Sequence, residues 1–198
     1  SDVYKRQHKV GPTIASDIKR AAVIVVFASL LVIFLYILGR FRNWQFGLGA
    51  VAALLHDVLI IIGLFSLLHG LMPFSLELDQ SFIAAILTVV GYSINDTVVV
   101  FDRIREYLGL QKRRERKEVF NTALNSTLSR TFSTSLSTFF VILAIFLFGG
   151  DVIRGFTFAL LIGIVVGTYS SLFIATPVVF DTMKKEKTVG VQKGTSGK

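Results

Sequence analysis

The sequence predicts an all-α polytopic membrane protein with five transmembrane helices. Three observations carry that prediction: 53% of the 198 residues are hydrophobic, only 17% are charged, and the apolar residues fall into five long runs. Soluble domains carry about 25% charged residues. The absence of cysteine and the presence of only 3 prolines exclude a disulfide scaffold and make a disordered chain untenable. The protein is therefore expected to be a multi-pass membrane protein.

Each apolar run is long enough to cross a bilayer. About 20 helical residues span a hydrocarbon core of roughly 30 Å. The runs are apolar on all sides, unlike the amphipathic helices of a soluble bundle, and the first has no cleavage site of a signal peptide. The predicted spans are 21–39, 46–68, 82–101, 132–148 and 156–180.

The net charge of +8 indicates the orientation of the chain in the membrane rather than a ligand-binding surface. Basic residues concentrate in the first loop, in the connection 102–131 and in the tail 184–198, whereas loop 69–81 has no Lys or Arg. The positive-inside rule then puts the C-terminal end in the cytoplasm and the N-terminal end outside. A nucleic-acid surface is the alternative, but the basic stretch in 102–131 lacks the interleaved aromatic residues that stack on bases.

Residues 1–20 break the charge rule, because they are basic yet predicted to lie outside. Long translocated domains do not obey this rule, so we interpret 1–20 as the extracytoplasmic end of a missing periplasmic domain and its linker. Residues 21–183 then form the transmembrane domain, and 184–198 a cytoplasmic tail. Within 102–131, the spacing of apolar residues predicts an amphipathic helix at the cytoplasmic surface that runs into the fourth span. These residues are Val119, Phe120, Ala123, Leu124 and Leu128.

Ionisable residues within a span are costly and indicate function by default. Asp96 lies in the cytoplasmic half of the third span, and Thr88, Tyr92 and Asp96 share one helix face. Asn95 precedes Asp96 as a further polar residue. The alternative is that Asp96 lies just past the end of a shorter helix, at the membrane interface. The apolar residues 98–101 that follow it argue against that position.

Arg130 opens the fourth span within predicted side-chain reach of Asp96. Hydroxyl residues follow it on the same helix, including Thr131 and Thr134, and such a stripe must face protein or water rather than lipid. An arginine that only anchors the helix end by snorkelling is the alternative. The predicted polar stripe comprises Ser126, Arg130, Ser133 and Ser137, flanked by Thr127, Thr131, Thr134 and Thr138.

His56 and Asp57 lie near the middle of the second span. Gly49, Ala53 and Asp57 recur every four residues, so a close-packed helix face carries the carboxylate inward. The pair is either functional or a hydrogen-bonded structural pair. Small residues also recur every four positions in the fifth span, where Gly163, Gly167 and Ser171 predict a helix-packing face, and a later proline predicts a kink.

A buried carboxylate beside a movable arginine is a candidate proton carrier. Burial favours the neutral acid, whereas a nearby guanidinium favours the anion. A change in the separation of Asp96 and Arg130 could therefore load or release a proton.

The stretch from Gly91 to Glu106, GYSINDTVVVFDRIRE, closely resembles the signature of the SecF family of protein-export membrane proteins. Leu54-Leu55-His56-Asp57-Val58 and the run 125–135 resemble the family in the same order. The resemblance covers about residues 10–183. It implies helices two to six of an RND-type six-helix membrane domain, with the first helix and periplasmic domain missing, in a bacterial or archaeal plasma membrane.

The resemblance also implies a function. SecF acts with SecD beside the SecYEG channel, with YajC as a further partner, and uses the proton gradient to help move exported preproteins across the membrane. The family's key membrane residues fall on Asp96 and Arg130 here. We add Asp57 as a third proton-coupling candidate, because it is predicted to be buried near the middle of the second span.

Two other functions stay open from the residues. The chain could be a passive scaffold subunit, or Asp57 and Asp96 could form the dyad of an intramembrane aspartyl protease. Neither aspartate lies in the glycine-rich motif that is typical of such proteases. No phosphate-binding loop, zinc spacing or nucleophile elbow occurs, so we expect no enzymatic activity, no cofactor and no metal.

Overall fold

A computed structural model describes the backbone of residues 12–183, together with the side chains of residue 20 onward except residue 22. All regular secondary structure in that part of the chain is helical, and five of its helices are long and apolar enough to cross a membrane. The five-span prediction is confirmed. The helices are α1 (Pro12–Phe41), α2 (Trp44–Leu68), α3 (Gln80–Leu110), α4 (Arg116–Phe148), α5 (Asp151–Ser170) and a short α6 (Thr176–Thr182).

The helices extend beyond the predicted spans. α1 begins at Pro12 rather than at residue 21, and the connection between α3 and α4 is only residues 111–115. The ends of α3 and α4 therefore fill most of the predicted connection 102–131, because a charged segment can still continue a helix once it has left the apolar layer. The predicted amphipathic helix exists as the first turns of α4. The tail 184–198 and the residues before 12 lie outside the described part.

α5 is the centre of the bundle. It packs along α3 and also contacts α2 and α4, whereas α1 packs mainly on α2. All members of the predicted small-residue ridge are buried: Ala159, Gly163, Gly167, Ser171 and Ala175. A methyl group on Gly163 would overlap the side chain of Val89 on α3, and one on Gly167 would meet Ser93 at 3.0 Å. Close approach of α3 and α5 therefore requires glycine at these positions.

The helix that follows α5 is not regular. A π turn at Ser171–Ala175 joins α5 to α6, and Pro177 lies just after it. Proline lacks the N–H that would continue the hydrogen-bond ladder. The hydroxyl of Thr176 donates instead to the carbonyl of Ser171 over 3.1 Å. The predicted irregularity near Pro177 is thus a widened turn.

Two apolar clusters fill the bundle, one towards each end. The first is built around Phe65, Phe82 and Val89, and the second around Phe46, Phe101 and Val179. Between them the buried side chains are polar. This polar layer comprises Asp57, Ser93, Asp96, Thr97, Thr131, Ser135, Thr168 and Ser170.

Candidate functional site

Asp57 is the most enclosed charged residue of the polar layer, with 0% of its surface exposed. Its Oδ2 accepts hydrogen bonds from the Ser93 hydroxyl at 2.7 Å and the Ser170 hydroxyl at 2.9 Å. Its Oδ1 lies 3.2 Å from Nδ1 of His56, whose Nε2 lies 3.0 Å from the Tyr169 hydroxyl. The carboxylate thus joins α2 to both α3 and α5. Gly49, Ala53 and Asp57 are all buried on this face of α2.

Asp96 belongs to a second network, formed between α3, α4 and α5. Its Oδ2 accepts from the Ser135 hydroxyl of α4 at 3.3 Å. Ser135 in turn lies 2.8 Å from the Thr168 hydroxyl of α5 and accepts from the Tyr92 hydroxyl at 3.3 Å. Only 6% of Asp96 is exposed. A carboxylate held by one serine, with further hydroxyls behind it, can exchange its proton with that chain of hydroxyls.

Arg130 lies on α4 before Ser135, on the side of the network nearer the α3–α4 connection. It acts electrostatically on Asp96 across the α3–α4 contact. Its side chain is exposed and, within the described residues, forms no ion pair closer than 4.0 Å. It lines a cleft of about 290 Å³ between α3 and α4, together with Asp102, Arg103 and Glu106. The guanidinium therefore faces this cleft without a salt bridge to the carboxylate.

The remaining predicted polar residues divide by burial. Thr131 is buried and its hydroxyl has no hydrogen-bond partner among the described residues. Asn95 and Thr134 are exposed, and the Thr134 hydroxyl donates to carbonyls of its own helix. Tyr92 and His56 are half-buried and belong to the two networks above. Of the stripe around Arg130, Ser126, Ser133 and Ser137 are exposed, so this chain alone does not shield them.

Sequence reasoning missed most of the hydroxyl groups that contact the aspartates. Ser135 lies one residue from the predicted threonine, and Ser93 lies inside the recognised signature. Thr168 and Ser170 lie on α5, which was interpreted only as a packing helix. A serine or threonine within an apolar run is the available signal, but periodicity alone does not say which aspartate it faces.

The two carboxylates do not form one site. Asp57 and Asp96 accept from different hydroxyl groups and lie on α2 and α3, with no hydrogen bond joining them in the described chain. An aspartyl-protease dyad requires two carboxyl groups that share a proton. No group of three or more His, Cys, Asp or Glu side chains that could hold a metal ion occurs among the described residues. The arrangement suits proton binding within a helix bundle.

The chain is similar to known proteins over most of its length. The family model for "Protein export membrane protein SecD/SecF, C-terminal" matches residues 2–185. The chain is 62% identical over 172 residues to the protein translocase subunit SecF of Rhodothermus marinus, covering 87% of this chain and 56% of that protein. It is 49% identical to SecF of Cereibacter sphaeroides, covering 90% and 53%. The chain therefore spans about half the length of these curated relatives.

Two further matches are named SecDF, a single name that combines SecD and SecF. The chain is 45% identical to the protein translocase subunit SecDF of Brucella abortus, covering 88% of this chain and 22% of that protein. A crystal structure of SecDF in a super-membrane-facing form superposes with a TM-score of 0.74 at 45% identity, covering 87% of this chain and 22% of that one. The chain belongs to the SecD/SecF C-terminal family of protein export membrane proteins, as a multi-pass, SecF-like membrane segment of a protein translocase subunit.

Proposed function

We propose that the chain couples proton movement to protein translocation, with Asp96 as the proton carrier and Arg130 as the group that controls its charge. Asp57 is the second proton-coupling group, and its network ties the motion of α2 to that of α3 and α5. The observation that carries the proposal is the buried Asp96 carboxylate, held by Ser135 and influenced electrostatically by an arginine that is not locked to it.

The proposed partner is SecD. Polar and small residues line one exposed face of α3 and α4 at bilayer depth, and polar groups there are costly against lipid. Protein cover from a second membrane subunit would remove that cost. SecYEG, YajC and exported preproteins are the remaining proposed partners. The exposed face comprises Thr88, Gly91, Asn95, Arg130, Ser133, Thr134 and Ser137.

The proposed orientation has the N-terminal end outside and the C-terminal end in the cytoplasm of a bacterial or archaeal plasma membrane. Its support is the distribution of basic residues. In that orientation the cleft beside Arg130 opens towards the cytoplasm. A proton leaving Asp96 would then pass the arginine and the acidic side chains of Asp102 and Glu106.

Proton flux in liposomes tests the proposal. The chain and SecD are reconstituted together, a pH gradient is imposed, and internal pH is followed with a trapped dye. Asp96→Asn is expected to reduce flux to the level of empty liposomes, because the amide cannot bind a proton reversibly. Asp96→Glu is expected to keep measurable flux.

Asp151→Asn is the matched control, because it makes the same change at the start of α5, outside the cleft. Asp151 is exposed and paired with Arg154, so its loss should leave flux within about twofold of wild type. Full flux in Asp96→Asn would disprove the carrier role and favour the passive scaffold. Peptide hydrolysis that an aspartyl-protease inhibitor blocks would favour the protease instead.

A further inference from the structure

The structure has a second opening that the proton site does not use. It is a groove of about 410 Å³ between the first turns of α4 and the segment formed by the π turn and α6. We call it the lower groove. Its α4 wall carries Lys117, Asn121 and Asn125 as polar residues, and its opposite wall includes Phe173 and Pro177. The rest of the lining is apolar apart from Thr176.

The shape of the lower groove follows from the irregular helix beside it. One edge is closed, because Arg116 donates to the carbonyl of Met183 over 2.7 Å and the rings of Phe120 and Phe180 pack edge to face at 5.2 Å. The π turn and Pro177 widen the helix next to that edge. The other side stays open, and 68% of Phe173 is exposed there.

The depth of the lower groove points to lipid. Twenty residues of α4 separate Phe148 from Leu128, about 30 Å of helix, which is the thickness of the hydrocarbon core. Leu128 and Phe173 therefore lie at the inner edge of that core, where an acyl chain is available. The polar side chains of the α4 wall continue beyond this edge towards the headgroups.

The charge around the lower groove is positive. Lys117 lines it, and no acidic residue does. Basic pockets between helices on the cytoplasmic side of membranes attract anionic headgroups, by about 1 kcal/mol for each nearby Lys or Arg.

We propose that the lower groove binds one anionic phospholipid, with an acyl chain against Phe173 and Leu128, the phosphate at Asn121 and Asn125, and the long side chain of Lys117 reaching towards it from the next turn. The polar amides can donate to phosphate oxygens, and the lysine supplies a charge without a partner carboxylate in the lining. The inference stands independently of proton coupling, because it shares no residue with the Asp96 network.

Native mass spectrometry of the chain, alone and with SecD, tests the lipid site. Phosphatidylglycerol and phosphatidylcholine are titrated in separate experiments, and binding of the first lipid is compared. Phosphatidylglycerol is expected to bind more tightly. Lys117→Gln should weaken that binding about fivefold, the factor that corresponds to one basic side chain, whereas Lys117→Arg should preserve it.

Two controls separate a built site from general attraction. Lys112→Gln removes the same charge outside the groove and should change affinity less than twofold. Asn121→Glu adds an anion at the groove, whereas Asn43→Glu adds one at an exposed position elsewhere on the cytoplasmic side. Only the former should abolish preferential binding, and unchanged thermal unfolding of each variant confirms its fold.

Four results would overturn the proposal. Three of them are equal affinity for the two lipids, equal losses in Lys117→Gln and Lys112→Gln, and loss of the bound lipid when SecD is present. Loss in the presence of SecD would identify the lower groove as a subunit interface. Glycerol phosphate that competes as well as the intact lipid would also refute it, because the acyl chain would then contribute nothing.

Discussion

The Asp57 network makes a quantitative prediction about stability. Asp57→Ala removes the acceptor for the Ser93 and Ser170 hydroxyls and the partner of His56. Ser170 can still donate to the carbonyl of Gly167 at 3.2 Å, but the structure offers Ser93 no such alternative. The replacement therefore leaves buried polar groups without a hydrogen-bond partner, which costs more than the loss of the hydrogen bonds alone.

The magnitude follows from the bonds that are lost. Hydrogen bonds inside membrane proteins average about 0.6 kcal/mol and reach about 1.7 kcal/mol. Bonds to a charged group lie at or above the upper end of that range. Two to three lost bonds at about 1–1.5 kcal/mol each predict that Asp57→Ala lowers the free energy of unfolding by about 3 kcal/mol. Asp57→Asn keeps one acceptor oxygen and should cost about 1–2 kcal/mol.

Unfolding in mixed micelles, followed by circular dichroism, measures both variants. A double-mutant cycle with Ser93→Ala isolates the contact between α2 and α3, and a coupling of about 1 kcal/mol is expected. Asp102→Ala is the control, because that half-exposed aspartate should contribute less than about 1 kcal/mol. A loss below about 0.5 kcal/mol for Asp57→Ala, with no coupling to Ser93, would refute the reasoning that this carboxylate holds three helices together.

Three further predictions concern packing, the proton site and a helix terminus. Gly163→Ala should cost about 1–3 kcal/mol, because its methyl group overlaps a valine on α3, whereas Gly63→Ala, which meets nothing within 4 Å, should be neutral or stabilising in the same unfolding assay. Ser135→Ala should slow proton flux in liposomes by removing the hydroxyl that holds the carrier carboxylate, whereas the exposed Ser137→Ala should not; equal rates would contradict that role. Asp79→Ala should lower the unfolding free energy by about 1 kcal/mol, because Asp79 caps α3 by accepting a backbone N–H at 2.9 Å, and an unchanged value would show that the cap is dispensable.

The sequence predicted the spans because hydropathy is a local property. Each helix satisfies its own backbone hydrogen bonds, so a run of about 20 apolar residues suffices to predict a crossing. The same reasoning failed between α3 and α4, where helix propensity continues after hydropathy ends. The inward faces of α2 and α5 were predictable because small residues recur every four positions, and close helix packing requires them.

The partners of the aspartates could not be predicted in the same way. Asp57 and Asp96 are separated by 39 positions in the sequence, and each contacts hydroxyl groups on helices far along the chain. Which hydroxyl meets which carboxylate depends on the rotation of each helix about its axis and on its height in the bundle. The contacts of Ser135, Thr168 and Ser170 could be identified only from the rotation and height of each helix in the folded bundle.

The sequence by itself determined the class of protein, the number of crossings and the charged residues that are expensive inside a membrane, since all of these depend on composition over one or two helical turns. Tertiary structure alone decided that Asp57 and Asp96 belong to separate networks and that Arg130 lies beside an open cleft. It also decided that the π turn opens a groove against α4. These features arise between helices, where the relative placement of side chains is set by packing and not by the order of residues.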